Sequence, residues 1–431
     1  MRSHYVGELT PEMDGQSVTL AGWVHEIRDF GQLKFILLRD KTGVIQLTIK
    51  KKECPPELSD IAHSLVKETS ILCTGLVKNS KAAKNGIEIL PNSLQVIGKV
   101  LKQVPFEVTG KVPAELDVRL DHRFIDLRRV ETTSIFQIRS EVQRAFREKL
   151  LELQFQEINP PTLVSTSTEG GSDLFEVQYF EKKAFLAQSP QLYKQLAVMG
   201  GMDKVFMVQP IFRAEKHNTT MHLNEVTQMD AEMGFATDKE ALEVLEKVFI
   251  HVLSSVKEKC GKQLTNLEMT LNVPKAIPSI TYDKAITALQ ANGAKIEWGD
   301  DFSKEQEREL PGLLGDETFF LTEWPTKIRA FYSMPREENE EKCRAYDLMY
   351  KGLEMASGAQ RIHVPDMLIK QLKARGLHPS EFEYYIDAFR YGAIPHAGWS
   401  IGAERLTMQL TGVKNIRECS LFPRDRHRIT P

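Results

Sequence analysis

Five short runs rich in Val, Ile, Leu and Thr occupy residues 16–28, 33–40, 44–50, 69–78 and 86–98, with Gly, Asp or Asn between them. Runs of this length bounded by turn residues predict β-strands. Between the third and fourth lies PPELSDIAHSLVK, a helical stretch with Pro56 near its first turn, the one place where a helix tolerates proline. Five short strands with a helix after the third predict a small closed Greek-key barrel in the first hundred residues.

A barrel of this OB type commonly binds single-stranded nucleic acid, but the architecture alone fixes no function. At 431 residues the chain is too long for one core, so a second, larger domain is expected. Residues 104–130 read as a hinge containing Pro105 and Pro113 and ending in the charged run LDHRFIDLRR. The expected division is therefore 1–103, a linker at 104–130, and 131–431. Ser134, with Gln137 three residues on, reads as the N-cap of a helix carrying Ile135, Ile138, Val142, Phe146 and Leu153. TDKE at 237–240 opens a second long helix, and strand-like runs such as KVFMVQPIFRAE and VTQMDAEMGF lie between the two. Strands in runs, without regular β-α alternation, predict an antiparallel α+β sheet flanked by helices. Residues 275–335 read as a peripheral insertion.

Composition narrows the function classes. A hydrophobic content of 42% with 27% charged residues suits an ordinary soluble protein. The formal charge of −3 argues against coating nucleic acid by bulk positive charge. Even residues 1–100 hold only 13 Lys and Arg against 11 Asp and Glu, so any nucleic-acid contact must be local and shaped. Cys54, Cys73, Cys260, Cys343 and Cys419 form no CxxC pair, which points to a reducing compartment. No leader is visible and no window approaches the ~18 apolar residues of a membrane span. A cytoplasmic protein without a membrane partner is expected.

FRAEKHNTTMHLNEVTQMD, residues 212–230, places Arg213, Glu215, Lys216, His217 and His222 around a polar turn joining two strand-like runs. One hairpin thus presents cations and an acid to a common space, although surface ion pairs on a solvated hairpin would read the same way. HAGWSIGAERLTMQL, residues 396–410, combines Gly402, Glu404 and Arg405 at the start of an apolar helical run. Small residues there permit close backbone approach, and an arginine can grip a nucleotide. FQEINPPTL, residues 155–163, sets a proline pair where a helix gives way to a strand.

Together these three segments resemble motifs 2, 3 and 1 of the class II aminoacyl-tRNA synthetases, in that family's order and spacing. RFIDLRR at 123–129, after an OB barrel, resembles subgroup IIb. STEGGSDLF (167–175), FLAQSPQLYKQ (185–195), AYDLMYKGLEMASGAQR (345–361) and the terminal LFPRDRHRITP are similar to the aspartyl-tRNA synthetases of archaeal and eukaryotic type. The resemblance covers nearly the whole chain. It implies ATP-dependent, AMP-forming aspartylation of tRNA through an aspartyl-adenylate, by a homodimer joined through motif 1.

The chemistry requires the aspartate carboxylate to attack the α-phosphorus of ATP, with two anions held together as charge builds on the phosphorus. The resemblance implies Arg213, Glu215 and Arg405 as catalytic residues. Arg213 would bridge carboxylate and α-phosphate, Arg405 and His222 would neutralise the leaving pyrophosphate, and Glu215 would contact adenine or the tRNA end. Further ATP contacts are implied at Ala214, Met221, Leu223, Glu354, Gly402, Ala403 and Glu404. Magnesium prefers carboxylate and phosphate oxygens, and Asp347, Glu354 and Ser357 match the family's metal ligands. Lys194 and Arg361 would hold the β-carboxylate, since two buried cations suit a carboxylate better than an amide. Gln191, Asp230 and Ser357 would surround the ammonium group, and Glu169 would be the lid residue. Three departures stand out: Gln154 and Ala397 replace glycines, and Met221 stands where relatives carry arginine.

On the barrel, the matched anticodon contacts are Arg28, Phe35, Gln46 and Glu88, with stacking and edge reading as the expected modes. Phe35 also alternates with apolar neighbours, as a core residue would. The aspartate and asparagine anticodons differ only at the third base, C against U. Family members restricted to the aspartate tRNA tend to carry tryptophan at the His25 position and lysine at the Lys84 position; tolerant ones carry histidine and proline. His25 with Lys84 is a mixed signature. The expectation is charging of both tRNA(Asp) and tRNA(Asn), with restriction to tRNA(Asp) as the alternative. Misacylated tRNA(Asn) would then need a tRNA-dependent amidotransferase. A tRNA-binding paralogue without activity, an ammonia-dependent asparagine synthetase and a single-strand binding protein are the competing readings. The motif arginines oppose the first, the barrel opposes the second and the nucleotide motifs oppose the third.

Overall fold

A computed structural model describes residues 1–431 apart from 84–85, 166–173 and 217. The expectations for Lys84, Glu169 and His217 therefore fall outside the described residues. The chain divides into two compact units, Met1–Thr133 and Ser134–Pro431.

In the first unit the apolar alternation becomes β1 (Ser17–Asp29), β2 (Leu33–Arg39), β3 (Val44–Lys50), β4 (Ser70–Asn79) and β5 (Ile87–Gly98). They close into a barrel in the order β1-β2-β3-β5-β4. Val18, Leu20, Val24, Ile36, Leu38, Ile45 and Leu47 point inward, and helix Pro56–Ser64 plugs the core with Leu58 and Ala62. Each such side chain stabilises the fold by roughly 1.5–3 kcal/mol, so a one-residue slip that turned the set outward is strongly opposed. The β1–β2 ladder shifts between Val24 and Glu26, which makes His25 the extra residue of a β-bulge.

The segment expected as a hinge is ordered and belongs to this first unit. It carries short helices at Leu116–Asp121 and Arg123–Asp126. Ion pairs Lys111–Glu26 at 2.9 Å and Arg128–Glu68 at 2.9 Å fasten it to the barrel.

The second unit contains β6 (Gln156–Glu157), β7 (Leu163–Val164), β8 (Glu176–Tyr179), β9 (Lys182–Leu186), β10 (Lys204–Phe212), β11 (Glu225–Gly234), β12 (Ser279–Thr281), β13 (Thr318–Thr322), β14 (Ala345–Tyr350), β15 (Leu353–Arg361) and β16 (His396–Gly402). Eight of them form one sheet, β12-β13-β14-β15-β16-β11-β10-β6, and β7, β9 and β8 form a small separate one. Only the edge pairs β6–β10 and β12–β13 of the large sheet are parallel. Helices Val130–Glu152 and Asp238–Lys259 pack Ile138, Val142, Phe146, Leu245, Phe249 and Val252 against Met229, Ala231, Trp399 and Ile401 of the sheet. The TDKE box caps the second helix as expected.

Two expectations change. The first helix begins at Val130, because VETT upstream of Ser134 contains nothing that breaks a helix; Ser134 lies inside it, accepting a hydrogen bond from Asn266 at 3.1 Å. The 275–335 segment supplies β12 and β13 to the edge of the main sheet and builds its own core from Tyr282, Leu289, Phe319, Leu321 and Trp324.

Candidate active site and nucleic-acid interface

Strand alternation sorts the large sheet into two chemistries. Met229, Ala231 and Met233 of β11 enter the core, so Gln228, Asp230 and Glu232 face the other way. Register then aligns a polar row across four strands: Asp347 pairs with Ser357, Ser357 with Ser400, and Ser400 with Asp230.

Beside that row a pocket is lined by Arg213, Glu215, Met221, His222 and Leu223 from the β10–β11 turn, by Glu354 and Ser357 from β15, and by Gly402, Glu404 and Arg405. Residues almost two hundred positions apart thus meet because β16 lies next to β11. Asn224 pins the turn, its amide donating to the Arg213 and Glu215 carbonyls at 2.7 and 3.1 Å. The Arg213 Nε is buried with no partner among the described residues, and a guanidinium in that state is poised for an anion. Arg405 donates to the Glu354 carbonyl at 2.9 Å, with the Glu354 carboxylate at 3.7 Å. His222 Nε2 lies 3.6 Å from Glu215. Ala214 and Glu215 also line an adjoining groove with Phe175 and Arg426. Glu404 lines the pocket and also anchors it. Its buried carboxylate accepts from Arg139 at 2.5 Å and from the Thr227 backbone at 3.0 Å, so it anchors helix Ala403–Thr411.

Deeper in, Lys194 is 1% exposed and reaches Asp230 at 3.0 Å and Glu232 at 3.4 Å. Arg361 meets both oxygens of Glu232 at 2.9 and 3.1 Å, Ser400 donates to Asp230 at 2.6 Å, and Gln191 donates to Glu232 at 3.4 Å. Glycine is required here: a Cβ on Gly398 would lie 2.1 Å from a Glu232 oxygen. Lys194 and Arg361, expected around the β-carboxylate, thus lie against Asp230 and Glu232. Burial raises the carboxyl of Glu232, but Arg361 and Lys194 outweigh it and leave the group below its usual value.

Asp347 pairs with Ser357 and Glu354 with Met349, so the two acids are offset along the ladder. Arg329 grips both oxygens of Asp347 at 2.7 and 2.8 Å and donates to Ser357 at 2.6 Å. Burial raises the Asp347 carboxyl to about 6, against the lowering pull of Arg329.

On the barrel, Arg28 pairs with Phe35 and Phe35 with Thr48, while Leu37 pairs with Gln46. Ile36, Leu38, Ile45 and Leu47 fill the core, so Phe35 and Gln46 lie on the outer face. Glu88 accepts from Gln46 at 2.9 Å and from Thr48 at 2.5 Å. His25 joins the same face through its bulge, with Arg39 Nη1 at 2.7 Å from Nδ1. Phe35 is therefore outside the core, flanked edge-on by the exposed Phe30.

Residues 115–426 match the family described as tRNA synthetases class II (D, K and N), and residues 18–97 match the OB-fold nucleic acid binding domain. The chain belongs to the class II tRNA synthetases. This synthetase is 49% identical over 431 residues to the "Aspartate--tRNA(Asp/Asn) ligase" of Archaeoglobus fulgidus, covering 99% of each chain. A protein of the same description from Methanocaldococcus jannaschii is 48% identical, covering 100% of this chain and 98% of that one. Among solved structures, the asparaginyl-tRNA synthetase of Pyrococcus horikoshii with asparaginyl-adenylate superposes with a TM-score of 0.94 at 33% identity, over 99% of both chains. The aspartyl tRNA synthetase of Entamoeba histolytica gives 0.89 at 33% identity, over 98% of this chain and 92% of that one.

Sequence reasoning about this synthetase missed Arg139, Glu232 and Arg329. Arg139 and Arg329 lie outside every motif, and Glu232 in MDAEMGF gives no sign of burial. As for magnesium, no group of three or more His, Cys, Asp or Glu suited to a metal is found among the described residues. Glu354 lines the pocket and offers carboxylate oxygens, whereas those of Asp347 are committed to Arg329. That donor set fits an ion carried in on substrate phosphates, which needs only one or two protein carboxylates.

Proposed function

We propose that this synthetase activates L-aspartate with ATP and transfers it to both tRNA(Asp) and tRNA(Asn). The buried cations Lys194 and Arg361 carry the choice of aspartate. They lie against Asp230 and Glu232, and Arg213 lines the adjoining pocket with a buried Nε that meets no partner among the described residues. A side-chain carboxylate brought beside these cations meets them with charge, whereas the neutral amide of asparagine brings none.

In this reading Lys194 and Arg361 take the β-carboxylate, while Asp230, Gln191 and Ser357 surround the ammonium group. Arg213 aligns the aspartate α-carboxylate with the α-phosphate. An oxygen of that carboxylate attacks phosphorus, pyrophosphate departs past Arg405 and His222, and Glu215 orders the nucleotide. Ala214, Leu223 and Ala403 contribute backbone near the nucleotide, Gly402 leaves room for it, and Met221 brings no charge to the phosphate tail. Magnesium bound by Glu354 and the phosphates would offset charge on the leaving group. The terminal ribose hydroxyl of tRNA then attacks the acyl carbon, the bond from that carbon to the adenylate phosphate breaks, and AMP leaves after its phosphate takes the hydroxyl proton. No protein nucleophile is required.

Charging of both tRNAs is favoured by His25 on the barrel's outer face and by the Asp/Asn names of the relatives. The product on tRNA(Asn) would pass to a tRNA-dependent amidotransferase. A cytoplasmic homodimer is part of the same reading: no described helix is long and apolar enough to cross a membrane, and motif 1 forms the exposed edge strand β6. The test is aspartylation of separate tRNA(Asp) and tRNA(Asn) transcripts with ATP and magnesium, by protein whose sedimentation mass is twice 49.1 kDa. Comparable charging is expected; charging of tRNA(Asp) alone would leave the discriminating alternative standing.

A further inference from the structure

Arg39 and Glu68 form a buried ion pair in the first unit, their side chains 4% and 5% exposed. Arg39 Nη2 meets the two Glu68 oxygens at 3.0 and 2.8 Å. Arg128, lying over the Trp23 ring at 4.8 Å, brings Glu68 a second guanidinium at 2.9 Å. The remaining arm of Arg39 points Nη1 at His25 Nδ1, 2.7 Å away.

A guanidinium carries five donors and no acceptor. The Nδ1 atom of His25 must therefore accept, and the ring proton resides on Nε2. Burial, reinforced by the Arg39 charge, also holds the imidazole below its ordinary pKa despite Glu68 and Glu26. A second proton could enter only at Nδ1, against Arg39. Nε2 itself meets no hydrogen-bond partner among the described residues, and the β-bulge sets the ring on the outer face.

We propose that Arg39, oriented by Glu68, is a positioning residue that fixes His25 as an Nε2–H donor, and that this donor takes the O2 atom shared by cytosine and uracil at the third anticodon base. The base chemistry leaves one consistent choice. A donor aimed at position 4 meets an acceptor in uracil and an amino donor in cytosine; one aimed at N3 meets the reverse. Only O2 accepts from the same donor in both bases, so a fixed donor that reads O2 is blind to the difference between the two tRNAs. The base-reading half rests on the proposed function, whereas the tautomer follows from Arg39 alone.

Full-length protein labelled with 15N-histidine, studied by long-range proton–nitrogen correlation with His25 assigned by its loss in His25→Gln, reads the tautomer directly. A protonated Nε2 and a bare Nδ1 are expected; a protonated Nδ1 overturns the proposal. Transcripts carrying 2-thiocytidine or 2-thiouridine at the third anticodon position then remove the strong O2 acceptor. Wild-type protein should show a rise of about 10-fold in KM for both tRNAs. Arg39→Met combined with Glu68→Gln, which removes both buried charges together, should already have the raised KM and respond little to sulfur. A silent sulfur substitution in the wild type overturns the base-reading half. Failure to charge either unmodified transcript would instead overturn the proposed function, and the resonance still decides the tautomer.

Discussion

His396 sits at the end of a buried relay in which every proton can be placed. Tyr385 donates to Gln195 Oε1 at 2.9 Å, Gln195 Nε2 donates to His396 Nε2 at 2.8 Å, and His396 Nδ1 donates to the Ile394 carbonyl at 2.9 Å. Burial, outweighing the nearby Glu232 and aided by Arg361 and His363, lowers the imidazole to about 4. A free imidazole titrates near ~6.5, so unfolded chain binds this proton first. The relay's contribution is therefore full above about pH 6.5 and is lost as pH falls toward 4, by at most about 3 kcal/mol. Urea unfolding midpoints should decline over that window, and His396→Gln should flatten the decline; an unchanged slope would refute the assignment. Some residues of this pocket were legible in the sequence and some were not. Lys194 and Arg361 stand out because their motifs name them. Glu232 does not, because a carboxylate in an alternating strand reads as solvent-facing until the glycine at 398 and the arginine at 361 are seen beside it.

At the scale of elements, alternation foretold the barrel strands and the β10–β11 hairpin, since burying one face fixes both register and length. It could not reveal which strands become neighbours: β16 beside β11 is a long-range pairing with no local signal. The segment 275–335 shows the cost of that blindness. Its strand β13 leads into the stretch that carries Arg329, which stacks on Trp324 at 4.9 Å and holds Asp347 and Ser357 in the polar row. Arg329→Met strands a buried carboxylate and should destabilise the protein by about 3–5 kcal/mol. Adding Asp347→Asn should recover most of that loss in urea unfolding without restoring aspartate-dependent pyrophosphate exchange. Equal stability of the single and double variants would mean that the pair is not a unit. Gln154 makes a smaller point of the same kind. It sits at φ 65°, where family members carry glycine, so the departure noted in the sequence is a backbone cost.

For the whole molecule, a net charge of −3 over 431 residues turns attention from bulk attraction to a small shaped face. In the proposed function the two compact units divide the chemistry: the groups assigned to adenylate formation lie in Ser134–Pro431, and those assigned to base reading lie in Met1–Thr133. The division has a kinetic consequence. Phe35, on the outer face of β2 with Arg28 and Thr48 as its cross-strand partners, offers a ring on which an unpaired base can stack. Base–aromatic stacking is worth about 1–3 kcal/mol, so Phe35→Ala should raise the KM for tRNA by about 5- to 150-fold. Aspartate-dependent pyrophosphate exchange involves no tRNA, and its kcat and its KM for ATP should stay where they were. If exchange falls together with tRNA affinity, the ring supports the fold rather than the anticodon, and the separation of labour between the two units is refuted.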